Sequence, residues 1–172
     1  MIFYGFNISA DGYVMDSEGN FDWSEPTEEL HSFWNGVQRE TVLNVYGRRL
    51  WETMSYWAAP REDSPPVELA FAEAWQATPT LVVSRTLERV EGAELVRDVS
   101  EVPDRDGPVQ VGGPELAAAM FDRIDEFWPV VYPVAVGGGT PFFPAGAARL
   151  NLKLIESRPF ESGAVLLRYQ RA

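Results

Sequence analysis

The chain of 172 residues is 45% hydrophobic and 13% aromatic, enough to bury the core of one globular domain, and carries 26 acidic against 14 basic residues for a net charge of −12. That balance excludes broad binding to nucleic acid or anionic membranes, which needs cationic surface to release counterions or meet headgroups. With no cysteine and one histidine, His31, disulfides and thiolate metal centres are excluded and no metal site is expected.

The opening residues 1–13 carry no basic residue ahead of their apolar part and turn polar by Asn7, unlike a secretory signal. The longest apolar run, 128–136, holds two prolines and is far shorter than the ~20 residues of a spanning helix, so a cytoplasmic protein is expected. Residues 2–8 form a β-rich opener. Residues 25–38 predict a helix: Pro26 suits its first turn, acids gather near its start, and Leu30, Phe33, Trp34 and Val37 recur at helical spacing. Residues 41–46 predict a short strand ended by Gly47. A second amphipathic helix over 66–76 leads into a strand at 80–84. The strand at 108–111 runs into Gly112 and Gly113, where Pro114 opens a third helix reaching Ile124. Residues 126–136 are one more β segment, and 150–160 with 164–170 predict a closing antiparallel hairpin. Strands alternating with helices imply an α/β sheet covered on both faces. Residues 59–66 and 100–108 read as surface loops inside a single domain spanning 1–172.

In open α/β sheets, ligands sit at the carboxyl ends of strands. Three such ends share a chemical character here. Gly47 is followed by Arg48 and Arg49, Ser84 by Arg85, and Gly112–Gly113 by a helix start offering free N–H groups. Singly, each has a plain structural reading: a solvated turn for the arginines, tight strand–helix packing for the glycines. Together, scarce positive charge at one strand end after another suits a ligand with several phosphates, such as a dinucleotide. There is no early G-x-G-x-x-G and no Walker A motif, and the glycine-rich 136–143 has neither the lysine nor the following helix of a P-loop.

In this order the elements resemble the dihydrofolate-reductase-like family, and within it the branch that holds the reductase domain of riboflavin biosynthesis. The resemblance covers essentially the whole chain. NISADGYVMDSEGNFDW (7–23) is similar to the first strand and the mobile loop over the nicotinamide, and VYGRRLWETM (45–54) to the Gly-Arg/Lys-x-x-aromatic-Glu element. VVSR (82–85) is similar to the strand end on the adenosine side, VGGPEL (111–116) to the Gly-Gly pyrophosphate turn, and VYPVAVGGGTPFF (131–143) completes the set. The implied fold is a mixed, mostly parallel central sheet with helices on both faces and a C-terminal antiparallel hairpin. The implied activity is NADPH-dependent reduction of a small heterocyclic or imine- or carbonyl-like substrate, as in dihydrofolate reductase or 5-amino-6-(5-phosphoribosylamino)uracil reductase.

Carried over residue by residue, the resemblance implies that Gly47, Arg48 and Arg49 lie along the pyrophosphate and 2′-phosphate, and that Ser84 and Arg85 hold the adenosine 2′-phosphate. It implies that Val111, Gly112, Gly113, Glu115 and Leu116 form the diphosphate turn, and that Asn7, Ile8, Ala10 and Val14 line the nicotinamide pocket. Fork-shaped guanidiniums favour NADPH over NADH. Leu50 stands where many relatives have threonine, removing one phosphate hydroxyl. The family's bifunctional riboflavin enzymes carry a deaminase domain with His and Cys zinc ligands, whereas this chain has no cysteine, which argues against a riboflavin-pathway role. Relatives often pair, so a homodimer is expected.

Hydride transfer also needs a proton source and exclusion of water. In dihydrofolate reductases the acid sits early in the helix after the mobile loop, following a Trp and a Pro. Here Trp23 and Pro26 precede Glu28 and Glu29, and either glutamate fits that position. Acids at a helix start also complement its dipole without any catalytic duty. Asp22 and Asp11 are alternatives, Asp11 reading as a turn residue that caps its own backbone. Trp23 and Trp57 are candidates to stack on a flat substrate, and His31 reads as an ordinary helix residue. Two other readings stay open: a cofactor-binding protein without turnover, and a module for another phosphorylated small molecule.

Overall fold

A computed structural model describes residues 1–172. In chain order the strands are β1 (Ile2–Ser9), β2 (Tyr13–Met15), β3 (Leu43–Gly47), β4 (Thr80–Val83), β5 (Glu94–Val96), β6 (Val109–Gly112), β7 (Glu126–Tyr132), β8 (Thr140–Pro141), β9 (Leu152–Pro159) and β10 (Val165–Arg171). The helices are α1 (Glu28–Glu40), α2 (Arg48–Met54), α3 (Pro66–Ala77) and α4 (Pro114–Ala119). An eight-stranded sheet runs in the order β5-β4-β3-β6-β1-β7-β10-β9, and β2 pairs with β8 in a separate two-stranded ribbon. The strands from β5 to β7 are parallel, while β10 is antiparallel to both β7 and β9. The mostly parallel sheet with its closing hairpin is as the sequence predicts.

Both faces of the sheet are covered over β1, β3, β4, β6 and β7, which is why these strands read as continuous apolar runs, whereas β9 is largely exposed. Tyr4, Val45, Val111 and Phe127 pack with Leu116, Ala117 and Met120 on the α4 side. On the other side Phe3, Trp128 and Val130 pack with Leu30 of α1, and Tyr46 packs with Phe71 and Trp75 of α3. A buried polar chain ties the helices to the strands there. Gln38 Nε2 donates to Asn44 Oδ1 (3.3 Å) and Thr78 Oγ1 (2.9 Å), and Asn44 Nδ2 donates to Thr80 Oγ1 (3.3 Å). On the hairpin, Arg168 lies 4.2 Å from the Trp128 ring centre and donates to both Glu126 and Glu156.

Several boundaries differ from the sequence reading. Helix α1 starts at Glu28, where the Thr27 hydroxyl accepts the Leu30 N–H (3.5 Å), so Pro26 precedes the cap and is not in the first turn. The third predicted helix stops at Ala119. Residues Phe121–Arg123 tighten into a 3-10 turn, and Arg123 donates to the Val99 and Val102 carbonyls to anchor it. The β segment expected over 126–136 ends at Tyr132, and at Pro133 the chain leaves the sheet. Residues 48–54, read only as a strand end followed by arginines, form α2.

Candidate functional site

The order β4-β3-β6-β1 places the carboxyl ends of four parallel strands side by side. At ~4.8 Å per step, three steps span about 14 Å, the reach of an elongated ligand. Ser84 and Arg85 follow β4, Gly47 and Arg48 lie where β3 becomes α2, Gly112 and Gly113 join β6 to α4, and Ala10 follows β1. The topology thus gathers every residue expected at the phosphates.

The middle of this row is a close approach of two helix starts. A Cβ on Gly112 would sit 2.3 Å from Leu50 Cδ2 and 2.7 Å from Tyr46 Cδ1, so α2 closes directly onto the glycine backbone. Gly113 takes φ +99, and a Cβ there would lie 4.0 Å from the Gly47 nitrogen. Leu50 therefore packs over the Gly-Gly turn. Val111 and Leu116 are buried beneath it, and Glu115 is exposed at the start of α4.

Each arginine is exposed and held by one surface carboxylate. Arg48 donates to Glu52 Oε1 (2.7 Å) and Thr86 Oγ1 (3.2 Å). Arg49 bridges to Glu115 (2.7 Å) between the starts of α2 and α4, and Arg85 reaches Asp98 (3.3 Å). Asp98 lies below the usual carboxylate range, first through the backbone amide and hydroxyl of Ser100 and then through Arg85. Exposed pairs of this kind contribute ~0–1 kcal/mol, so a phosphate can take over each guanidinium at little cost. Ser84 is buried and its hydroxyl accepts the Thr86 and Leu87 N–H groups (3.3 and 3.2 Å), building the turn that presents Arg85 and Thr86. Arg97 braces the same turn through the Ser84 and Leu87 carbonyls.

At the β1 end, the Asn7 amide is fully engaged. It accepts from Trp34 Nε1 (3.1 Å) and donates to the Ser24 carbonyl (3.1 Å) and the Tyr132 hydroxyl (3.4 Å). Tyr132 in turn donates to the Glu25 carbonyl (3.4 Å), and burial pushes its hydroxyl up to about 12. Ile8 and Val14 are buried in the core beside Phe142, and Ala10 is exposed with its N–H on the Val134 carbonyl (2.7 Å). Trp23 is half-buried against Tyr132, and its Nε1 has no hydrogen-bond partner. Trp57 packs edge-on against His31 and Phe71 at 6.0 and 4.9 Å, which commits both Trp57 and His31 to an aromatic cluster between helices.

None of the candidate acids hydrogen-bonds that amide. Asp22 is exposed and accepts the Trp23 N–H (3.0 Å). Glu29 accepts the Glu161 N–H (2.9 Å) and lies 3.9 Å from Arg158, so it fastens α1 to the turn of the terminal hairpin. Glu28 has no hydrogen-bond or ion-pair partner and lines an open depression with Ser32, Phe33 and Arg158. Asp11, read as capping its own backbone, instead reaches mainly across to the Val136 and Gly137 N–H groups.

Glu52, Thr86, Asp98 and Tyr132 join the site without having been singled out. The Arg48–Glu52 pair has i,i+4 spacing, visible once 48–54 is known to be helical, and Asp98 with Glu101 forms a capping box with a readable D-x-x-E spacing. Tyr132 lies 125 positions from Asn7, and no local signal connects them.

A protein of Shewanella sp. PV-4 provisionally named for riboflavin biosynthesis superposes with TM-score 0.76 at 19% identity, over 99% of this chain and 98% of its own. Dihydrofolate reductase from Enterococcus faecalis, complexed with NADP(H) and RAB-propyl, superposes with TM-score 0.68 at 17% identity, over 99% and 96%. The fold is that of dihydrofolate reductase. The same scaffold occurs in the diaminohydroxyphosphoribosylaminopyrimidine deaminase/5-amino-6-(5-phosphoribosylamino)uracil reductase of Thermotoga maritima, with TM-score 0.71 at 14% identity over all of this chain and 56% of that protein. In sequence, the chain is 27% identical over 175 residues to the uncharacterized protein YyaP of Bacillus subtilis (strain 168), covering 94% of this chain and 90% of YyaP. No protein-family model matches the chain. No helix of the dihydrofolate-reductase-like structure is long and apolar enough to cross a membrane.

Proposed function

We propose that the chain is an NADPH-dependent reductase acting on a small heterocyclic or imine- or carbonyl-like substrate, with residues 1–172 working as one unit in the cytoplasm. The observation that carries this reading is the row of exposed, replaceable arginines along neighbouring strand ends, beside the Gly112–Gly113 turn that opens α4. Arg85 and Thr86, on the turn built by Ser84, together with Arg48 at the start of α2, would hold the 2′-phosphate. Gly47, Arg49, Gly112 and Gly113, backed by Val111, Glu115 and Leu116, would take the diphosphate. Asn7, Ile8, Ala10 and Val14 would shape the nicotinamide end. Bound NADPH supplies a hydride to an electrophilic carbon. Of the three acids, Glu28 is the one whose carboxylate is unoccupied, which favours it over Asp22 and Glu29 as proton source.

Titration with NADPH and NADH, read by quenching of tryptophan fluorescence, tests the reading. NADPH is expected to bind at least about tenfold tighter, and Arg85→Ala to erase that preference, a difference of ~1.4 kcal/mol. Binding of neither nucleotide, or an Arg85→Ala variant with both affinities unchanged, overturns it. The engagement of Asp22 and Glu29 elsewhere favours one second reading, an NADP(H)-binding protein without turnover, which oxidation of bound NADPH across a substrate screen separates from the first. The expected homodimer is checked by light scattering on the same sample, where a monomeric mass removes it.

A further inference from the structure

The turn that follows β1 is built around one carboxylate. Gly12 closes it with φ +91 and an N–H bond to the Ser9 carbonyl (2.9 Å), and the buried Ser9 hydroxyl accepts the Tyr13 N–H (3.0 Å). Asp11 at its tip points at a different part of the chain. Its Oδ1 accepts the Val136 N–H (3.1 Å) and its Oδ2 the Gly137 N–H (2.7 Å), and neither amide has another acceptor. Consecutive amides converging on one carboxylate make a small anion nest.

The two segments are fitted along their whole contact. Ala10 N–H donates to Val134, Phe142 N–H donates to Gly12, and Tyr13 and Met15 pair with Pro141 and Thr140. Gly139, at φ +136, has no room for a side chain, since a Cβ would lie 2.0 Å from the Met15 oxygen. Gly139 therefore lies flat against the loop, whereas a Cβ on Gly137 or Gly138 would meet nothing within 4 Å, and Asp11 is the only side chain that hydrogen-bonds this turn.

We propose that Asp11 is a positioning residue whose carboxylate latches the glycine-rich turn onto the loop after β1 and so sets the wall of the nicotinamide end. The inference rests on the NADPH reading above. Ala10 adjoins the latch and Val14 lies three residues on, whereas Arg48 and Arg85 follow strands two and three places away in the sheet. Release of the latch moves one end of the ligand site and leaves the other in place. The Ser9 hydroxyl and then the Gly137 amide hold the Asp11 carboxyl below its usual range, so it is ionised and an acceptor at neutral pH.

The test uses Asp11→Ala and Asp11→Asn. In the ligand-free protein, hydrogen exchange at the Val136 and Gly137 amides is expected to speed up about tenfold or more in both variants. In stopped-flow experiments NADPH should leave both variants about tenfold faster, while adenosine 2′,5′-bisphosphate, which lacks the nicotinamide, leaves at the wild-type rate. Unchanged exchange at the two amides overturns the latch. Equal acceleration for both ligands overturns its assignment to the nicotinamide end. Binding of neither ligand by the wild-type protein overturns the NADPH reading, and the exchange contrast alone then decides whether Asp11 holds the turn.

Discussion

At the scale of single residues, glycines and carboxylates divide by what surrounds them. Gly112 has Leu50 and Tyr46 against it, whereas Gly36 in the middle of α1 has nothing within 4 Å of a built Cβ. Gly112→Ala is expected to cost ~1–3 kcal/mol by overpacking, and Gly36→Ala to add ~0.5–1 kcal/mol through helix propensity. Thermal unfolding reads both, at about 2–4 °C per kcal/mol for a chain of this size, and the signs should be opposite. The acids separate similarly. Glu29→Gln weakens the tie to Glu161 and Arg158, so it should lower the melting temperature slightly and spare turnover, while Glu28→Gln should slow turnover at unchanged NADPH affinity. The Gly-Gly approach was legible because two glycines before a proline-opened helix have few other uses. The targets of Asp11 and Glu29 were not, since the N–H groups that donate to them lie 125 and 132 positions along the chain.

At the scale of elements, the buried polar cluster of Gln38, Asn44, Thr78 and Thr80 joins α1 to β3 and to the end of α3, and β3 to β4. Each polar group there depends on its neighbour, because a lone buried donor or acceptor keeps its full desolvation cost. Gln38→Leu and Asn44→Leu are each expected to lose ~1–3 kcal/mol in urea unfolding. The double variant should lose less than the sum, the mark of a shared network. Periodicity revealed the long elements: α1 and α3 carry apolar stripes, and β1, β7 and the hairpin are continuous enough to stand out. It could not reveal β2, β5, β8 or α2, which run from two to seven residues, below the window over which a period is measurable. The α1 start was misplaced because Pro26 fits a first turn, while Thr27, with its hydroxyl, is the better cap.

At the scale of the whole molecule, the fold carries twelve excess negative charges. Raising ionic strength should raise the melting temperature as self-repulsion is screened, with most of the effect complete near 0.15 M, where the Debye length is ~8 Å. Acid should do the reverse through specific groups. Asp11, Asp16 and Asp98 titrate below the ordinary carboxylate range, each held there by hydrogen bonds. A carboxyl depressed in the folded state contributes stability above its unfolded value and loses it as pH falls through the folded one, so unfolding temperature should drop below about pH 4, and less steeply in Asp16→Ala. The parallel class of the sheet followed from alternating elements. Its strand order did not, because nothing local tells β6 to insert between β3 and β1. That order has a consequence for synthesis. Strand β10 is made after every other strand of the sheet, yet it lies between β7 and β9. Until residues 165–171 emerge, β7 keeps one ladder open and β9 has nothing to pair with. The ribosome therefore exposes an unfinished sheet until residues 165–171 have emerged, the interval in which chaperone capture and wrong pairing compete with assembly.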